Sequence, residues 1–357
     1  MECVLAVDGG NTKTIAIVAA LDGTILGYGR GGCGDIYNSK RPGRSTEASA
    51  LEHIEEAITA ALTPAGTRRD ELISGVFNMA GADWPEDFAL LESELQARGF
   101  GRRILVQNDA LGVLHAGLAG KIGVSVVCGT GNAIGARGPD GCTWHASYWQ
   151  MDVQGSAIMS HMAVTTIVRS LLGIEPPTSL TTRVLELFSL QSVEELLHNL
   201  TCRDHSLRPH RIDRLIPLVF DEAEAGDQVA RRILQLHGRN LAEYAIVAAH
   251  KVGFEGRAFP LILAGSVFRH PSPILADAVS GYVRETLPTA QPRRADFEPV
   301  IGTLFSALEL AGITLDASLL ARLVSTIPDR ALFETASPHP FLHSGTLTRE
   351  AKELHER

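Results

Sequence analysis

Few cysteines and the absence of long apolar runs restrict the kind of protein that this sequence can encode. Its 357 residues include five cysteines, an odd number with no Cys-x-x-Cys pair. A disulfide framework or a zinc site is therefore not expected, and a reducing, cytoplasmic environment suits free thiols. No apolar run approaches the ~20 residues of a membrane span, so no membrane association is expected. The first residues also lack the basic region and the long apolar core of a signal peptide.

The sequence also has too little positive charge for a nucleic-acid-binding surface. It contains 32 Lys and Arg residues against 41 Asp and Glu residues, a formal net charge of −9. A protein that follows a phosphate backbone needs a basic stripe, so nucleic acid is not expected as a partner. The contents of 45% hydrophobic and 20% charged residues are typical of a soluble globular protein. A length of 357 residues favours two domains.

Strand-like and helical segments alternate along the chain, which predicts an α/β fold. Residues 4–7, 15–19 and 25–28 read as three strands, and a strand, a glycine-rich turn and a second strand return at residues 124–137. This recurrence predicts an internal duplication in which two β-rich units face a shared cleft. The predicted units are an N-terminal α/β domain (1–118), a C-terminal α/β domain (119–336) with a helical insertion at about 156–252, and a tail (337–357).

The first glycine-rich turn follows directly on the apolar strand at residues 4–7. It reads Asp8-Gly9-Gly10-Asn11-Thr12-Lys13-Thr14. The two glycines let the backbone approach an anion closely, and successive N–H groups can form an anion-binding nest. The acid at the end of the strand is placed to hold a hydrated Mg²⁺. A P-loop is excluded because a second strand, and not a helix, follows. The alternative is a plain hairpin turn with solubilising residues.

Three further strand ends have polar or glycine residues, and ligands of α/β sheets gather at such ends. They are Asn108-Asp109, Gly129-Thr130-Gly131-Asn132 and Gly265-Ser266. The acid at 109 can accept a proton from a substrate hydroxyl, or this pair is only the cap of the next helix. The turn at residues 129–132 can bind phosphate or be a tight hairpin. The turn at residues 265–266 can face a nucleotide or simply connect a strand to a helix.

The order and spacing of these motifs resemble the sugar-kinase branch of the actin/hexokinase superfamily. More narrowly, the chain looks like the family that joins N-acetylglucosamine kinases with the activator ATPases of benzoyl-CoA and hydroxyacyl-CoA dehydratase enzymes. The resemblance runs from about residue 3 to about residue 314. Residues 8–14 and 129–132 match its two phosphate motifs, Asp109 matches the acid that is the catalytic base in the sugar kinases, and residues 263–267 resemble its adenosine motif.

This resemblance implies a two-domain actin/hexokinase-like fold, a duplicated ribonuclease H-like unit with an ATP cleft between the domains. It implies ATP and Mg²⁺ as cofactors, with Asp8 holding the metal through water, the two turns holding the phosphates, and Gly265 and Ser266 facing the adenosine. The acceptor would be a small-molecule sugar, N-acetylglucosamine or glucosamine, phosphorylated at its 6-hydroxyl with Asp109 as general base. A homodimer is also expected.

The sugar-binding part of the resemblance is altered. N-acetylglucosamine kinases usually have Gly-Trp-Gly and then Gly-Asp-Glu-Gly-Ser where this chain has residues 147–156. If Gly155 and Ser156 are aligned with the last two, the acidic pair falls on Val153 and Gln154, and Asp152 is one position away. Either Asp152 takes over the contact or the contact has changed. The candidate sugar-binding residues are Asn38, Asp109, Asp152, Gln154, Gly155 and Ser156, and Asp83 is a further possible contact.

Two alternative functions on the same fold follow from the sequence. An activator ATPase needs cysteines at a subunit interface to hold an iron–sulfur cluster. Cys128 and Cys142 are the only pair within 20 residues, so this function ranks below the kinase. The altered segment at 152–154 is the reason to consider a non-catalytic sensor of sugar or nucleotide.

Overall fold

Five strands of the N-terminal half form one sheet in the computed structural model, which describes residues 1–117, 120–151, 154–203 and 214–333. They are β1 (Cys3–Gly9), β2 (Thr14–Ala20), β3 (Ile25–Gly31), β4 (Leu72–Met79) and β5 (Arg103–Asn108). The order across the sheet is β3-β2-β1-β4-β5. The first three strands are antiparallel neighbours, whereas β4 and β5 run parallel to β1. Apolar clusters cover both faces of β1, so its side chains are apolar without alternation.

Three helices accompany this sheet. They are α1 (Thr46–Ala65), α2 (Pro85–Ala97) and α3 (Asp109–Ala116). Helix α1 begins after Ser45, whose hydroxyl accepts a backbone N–H of the first turn, and it ends at Gly66. Its buried face includes the apolar stripe from Leu51 to Leu62 that the 3–4 spacing predicts. We call this sheet, with α1 and α2, the first lobe.

A second sheet repeats the arrangement of the first. Its strands are β6 (Gly123–Cys128), β7 (Asn132–Arg137), β8 (Thr143–His145), β9 (Phe259–Ala264) and β10 (Ala290–Arg294). The order is β10-β9-β6-β7-β8, again with three antiparallel strands followed by two that run parallel to the first of them. The predicted α/β duplication is therefore confirmed. The sequence had not predicted β8 or β10.

The predicted helical block lies between β8 and β9. Its helices are α4 (Ser156–Leu171), α5 (Leu180–Phe188), α6 (Val193–Thr201), α7 (Leu215–Glu224) and α8 (Gln228–Lys251), and α9 (Ile274–Thr286) follows β9. Apolar residues of α8, such as Ile233 and Leu241, join one cluster with Val126 of β6 and Val279 of α9. The block therefore belongs to the core of the second sheet, and we call these elements together the second lobe.

The last helices return to the first sheet. They are α10 (Pro299–Leu310) and α11 (Ala317–Ser325). Residues along α10 share an apolar cluster with Val4 and Ala6 of β1, and the Ser74 hydroxyl of β4 donates to the Ala307 carbonyl of α10 at 2.7 Å. Helix α3 makes the reciprocal contact, since the Ser125 hydroxyl of β6 donates to its Ala110 carbonyl. These two helices join the lobes.

The predicted unit boundaries remain a prediction. Residue 118 and the tail at 337–357 lie outside the described residues. Short 3₁₀ turns complete the described elements at Arg69–Glu71, Ser147–Trp149, Val267–Arg269 and Arg330–Leu332. None of the helices in the described ranges combines the length and the apolarity that a membrane crossing requires.

Candidate functional site

A cleft of about 400 Å³ lies between the lobes, where β1, β5, β6 and β9 end. The predicted site residues that line it are Asp8, Gly10, Asn11, Thr12, Lys13, Asn38, Asp109, Gly129, Thr130, Gly131, Asn132, Gly265 and Ser266. Gly9 and Thr14 pair with each other behind the first turn, within the β1–β2 hairpin. Residues that are distant in sequence thus meet at the carboxyl ends of parallel strands, as ligand-binding residues of α/β sheets do.

The two glycine-rich turns face each other across this cleft. The Thr12 hydroxyl of the first turn lies 3.3 Å from the Thr130 hydroxyl of the second. In the first turn the Gly10 N–H donates to the Lys13 carbonyl at 2.9 Å, so this N–H is used within the turn. An anion held between the turns would meet hydroxyl and backbone groups from both lobes.

The segment predicted to bind sugar lies behind the second turn. The Ser156 N–H donates to the Gly129 carbonyl at 2.8 Å, and the Gln154 N–H donates to the Asn132 side-chain oxygen at 2.8 Å. Ser156 is also the first residue of α4, so the positive end of that helix dipole lies against the turn. Neither Gln154, Gly155 nor Ser156 lines the cleft. Their sugar contact remains a prediction, and Asp152 lies outside the described residues.

Gly265 has a backbone conformation that other residues rarely adopt. Its φ is +98°, and a Cβ atom there would lie 2.4 Å from the Cys128 carbonyl oxygen. The end of β9 can therefore pack closely beside the end of β6 only because this residue is glycine. The result is an open backbone face at Gly265 and Ser266, next to the second turn.

Two carboxylates lie at the floor of the cleft. Burial raises the pKa of Asp8 to about 7, with Lys13 opposing and Glu298 adding to the rise. Burial likewise raises the pKa of Asp109 to about 7, and the neighbouring Asp8 and Asp83 carboxylates raise it further. The cap of α3 is Asn108, whose side chain accepts the Ala110 N–H, so the Asp109 carboxylate does not serve as the helix cap.

The charge at this floor suits a hydrated divalent cation. Carboxylates with raised pKa values are close to one another, and a triphosphate would add further negative charge. Within the described ranges, no group of three or more His, Cys, Asp or Glu residues is arranged to hold a metal ion. Mg²⁺ keeps several waters and needs few protein carboxylates, and Asp8 as the residue that holds it remains a prediction.

Sequence reasoning missed several residues of the cleft. They are Asp35, Ser147, Gln150, Arg269, Glu298 and Phe333. Asp35 could have been found from its position three residues before Asn38. In the structure its carboxylate accepts from the Asn38 amide at 2.8 Å. Ser147 and Gln150 follow a strand of three residues and have no spacing signal.

Asp83, Asn108 and Ser147 form a polar cluster that spans the two lobes. The Asn108 side-chain amide donates to the Asp83 carboxylate at 3.0 Å and to the Ser147 hydroxyl at 3.1 Å. Burial raises the pKa of Asp83 to about 6. At the rim above, the Trp84 and Tyr148 rings are stacked 3.6 Å apart. We call the end of the cleft that holds this cluster, Asp35 and Asn38 the acceptor end.

Curated relatives and solved structures resemble the chain over most of its length. The N-acetyl-D-glucosamine kinase of Dictyostelium discoideum is 23% identical over 314 residues, covering 86% of this chain and 98% of the relative. The N-acetylmuramic acid/N-acetylglucosamine kinase of Clostridium acetobutylicum is 25% identical, covering 76% and 87%.

Two solved structures have the same fold. A candidate N-acetylglucosamine kinase from Chromobacterium violaceum superposes with a TM-score of 0.61 at 21% identity, over 85% of this chain and 98% of the other. A ROK family glucokinase from Streptomyces griseus gives a TM-score of 0.53 at 18% identity, over 86% and 99%. The duplicated two-lobe fold is thus the actin/hexokinase-like fold of sugar kinases. The family model of the BadF/BadG/BcrA/BcrD ATPases matches residues 5–307, and the chain belongs to that family.

Proposed function

We propose that this protein is an ATP-dependent kinase that phosphorylates an amino sugar, N-acetylglucosamine or glucosamine, at its 6-hydroxyl. The observation that supports this most is the position of the Asp109 carboxylate at the floor of a cleft whose two walls are glycine-rich turns. Phosphoryl transfer needs a base near the attacking hydroxyl and donors around the phosphates, and this arrangement supports the assignment of Asp109 and the two turns to these roles. The names of the two curated relatives favour an amino sugar.

In the proposed mechanism Asp109 takes the proton of the attacking hydroxyl. Its pKa of about 7 lies near neutral pH, where a general base is most effective. Residues 10–14 and 129–132 hold the phosphates from opposite lobes, and Gly265 and Ser266 lie against the adenosine. Asp8 would hold a hydrated Mg²⁺, which when bound would neutralise phosphate charge. Closure of the cleft would exclude the bulk water that otherwise competes with the sugar.

The acceptor end supplies the proposed sugar contacts. Asn38 donates from its side-chain amide to Asn11 at 2.9 Å, which links the first turn to this end of the cleft. The carboxylates of Asp35, Asp83 and Asp109 can accept hydrogen bonds from sugar hydroxyls. Asp152 and the backing segment at 154–156 stay predicted sugar contacts.

Measurement of ADP release with a panel of hexoses and amino sugars tests this function. The purified protein is assayed with ATP and Mg²⁺ and with each sugar in turn, and the phosphorylated position is read by NMR of the product. Sugar-dependent ADP release that is highest with N-acetylglucosamine or glucosamine supports the proposal. ADP release that no sugar stimulates contradicts it, and the same result without any ATP turnover indicates the sensor.

The activator ATPase is the second candidate function, and the burial of the cysteines in this chain argues against it. Of the five cysteines, Cys3 and Cys128 are buried, Cys33 and Cys202 are partly buried, and Cys142 is exposed. A cluster shared between subunits requires surface thiolates. An anaerobically purified sample is expected to be colourless and to contain no iron, and a brown sample with stoichiometric iron would favour the activator. The homodimer and the cytoplasmic location also remain predictions.

A further inference from the structure

A histidine in the core of the second lobe contacts the chain on both sides of the second turn. His237 lies on α8 and is fully buried. Its Nε2 atom accepts a hydrogen bond from the Gly155 N–H at 3.2 Å and lies 3.6 Å from the Cys128 Sγ atom. Cys128 is the last residue of β6, directly before the turn, and Gly155 belongs to the segment behind it. One imidazole nitrogen therefore contacts both the strand that leads into the turn and the segment that supports it.

The imidazole of His237 is neutral, which determines what each of its nitrogens can do. Burial lowers the pKa of His237 to about 4. A neutral imidazole has one donor nitrogen and one acceptor nitrogen, and Nε2 is the acceptor because the Gly155 N–H is a donor. The hydrogen is then on Nδ1, which has no hydrogen-bond partner within the described residues. An apolar side chain would avoid this unpaired group, so the contact with Gly155 is what the histidine contributes here.

Gly155 connects His237 to the backbone of the second turn. Its φ is +122°, and a Cβ atom there would lie 2.5 Å from the Thr130 carbonyl oxygen, so its backbone packs directly on the turn. The Ala157 N–H donates to this same carbonyl at 3.4 Å, and the Ser156 N–H also donates to the turn. Three consecutive N–H groups are thus held, the first by the histidine and the next two by the turn.

We propose that His237 is a positioning residue for the second turn, acting through the Gly155 N–H on the backbone that supports residues 129–131. Without an acceptor this buried N–H would be unpaired, and the segment would have to shift to satisfy it. The turn would shift with the segment, and a site that must be ordered on binding holds its ligand less tightly than a preorganised one. The inference rests on the nucleotide-binding part of the proposed function and does not involve the sugar.

Two substitutions separate the hydrogen bond from the packing of the ring. His237→Leu keeps an apolar side chain in the core and has no acceptor, whereas His237→Gln can place an amide oxygen near the position of Nε2. His237→Leu should raise the Kd for ATP in the presence of Mg²⁺ about 10-fold, the effect of one lost hydrogen bond to a buried group. His237→Gln should return it to within about 3-fold of wild type. Calorimetry without sugar measures both values.

The matched control is Leu241→Ala, one helical turn farther along α8. It removes buried apolar volume and leaves the acceptor of His237 in place, so it should lower the Tm without changing the Kd for ATP. Amide hydrogen exchange of the wild-type protein, read by NMR, gives a measurement that does not depend on the folding of a variant. The Gly155 amide should exchange slowly before any nucleotide is added.

Three results in the variants would overturn the inference. They are an unchanged Kd for ATP in His237→Leu, a His237→Gln variant that binds ATP no better than His237→Leu, and a Leu241→Ala control that weakens ATP binding equally. Rapid exchange of the wild-type Gly155 amide also overturns it. If the variants follow the expected pattern of ATP binding but the wild type phosphorylates no sugar, the kinase function fails and this inference stands. A wild-type protein that does not bind ATP overturns both.

Discussion

Replacing Asp109 by Asn should lower the sugar-dependent rate at least ~100-fold, the lower end of what a general base contributes. At pH 8 a carboxyl with a pKa of about 7 is roughly nine-tenths deprotonated, so most wild-type molecules hold the base in its active form. An amide of the same size cannot take the proton. The expected loss corresponds to about 2.7 kcal/mol of transition-state stabilisation.

This substitution should affect the fold very little. Asn108 caps α3 through its own side chain and is untouched by the change. Among the described residues the Asp109 carboxylate forms no ion pair that the change would break, and loss of its charge relieves the repulsion from Asp8. Affinity for ATP should therefore stay close to that of the wild type, so that the defect appears in kcat.

The measurement is coupled ADP release at saturating sugar and ATP, with ATP affinity from calorimetry. Asp277→Asn on the exposed surface of α9 is the matched control and should keep full activity. If Asp109→Asn retains near-full sugar-dependent ADP production, Asp109 is not the base. A loss of ATP affinity as large as the loss of rate would also refute the reasoning.

Three further predictions use the same cleft. The kcat/KM for the sugar should rise with pH through about 7 and then level off, because Asp109 acts as a base only when deprotonated. A pH–rate profile without this rise argues against Asp109 as the general base. Burial raises the pKa of Asp8, so the folded protein is most stable while this carboxyl is protonated. The free energy of unfolding therefore falls as the pH rises through about 7. The Tm of Asp8→Asn relative to wild type should therefore increase between pH 5 and pH 8 without ligands, and a constant difference would contradict the raised pKa. Gly265→Ala should destabilise the protein by about 2–3 kcal/mol, because alanine is strained at this φ and its Cβ clashes with the Cys128 carbonyl. Gly281→Ala on α9, where a Cβ meets open space, should be neutral or stabilising. Equal denaturation midpoints for the two variants would refute the predicted strain at Gly265.

The sequence predicted the elements whose signals are local. The apolar strands β1 and β9 and the stripe of α1 were readable because burial on one or both faces leaves a pattern in neighbouring residues. Strand β10 has the sequence Ala-Gln-Pro-Arg-Arg and escaped prediction, since an edge strand needs little apolar surface. Strand β8 has three residues, too few to show a period.

The rest of the site depends on contacts between distant parts of the chain. Helix α10 is apolar all round, which predicts burial but not which sheet covers it. The role of residues 154–156 behind the second turn, and the meeting of Gln150 with Asn132, are set by tertiary packing. Motif spacing alone therefore predicted more of the cleft residues around the two glycine-rich turns than of those at the acceptor end.

Helices α3 and α10 pack against each other between the lobes through small residues. A Cβ atom on Gly302 of α10 would lie 2.5 Å from the Gly112 carbonyl of α3, so the two backbones touch through small residues. The large apolar clusters lie on either side of the cleft, and only a small cluster joins Val113 of α3 to Ile262 and Ala264 of β9. The contacts across the cleft include the Thr12–Thr130 hydroxyls, the Asn108–Ser147 hydrogen bond and the Trp84–Tyr148 stack. A rotation of the lobes about this helix contact would break a few polar or rim contacts and would leave the large apolar cores covered.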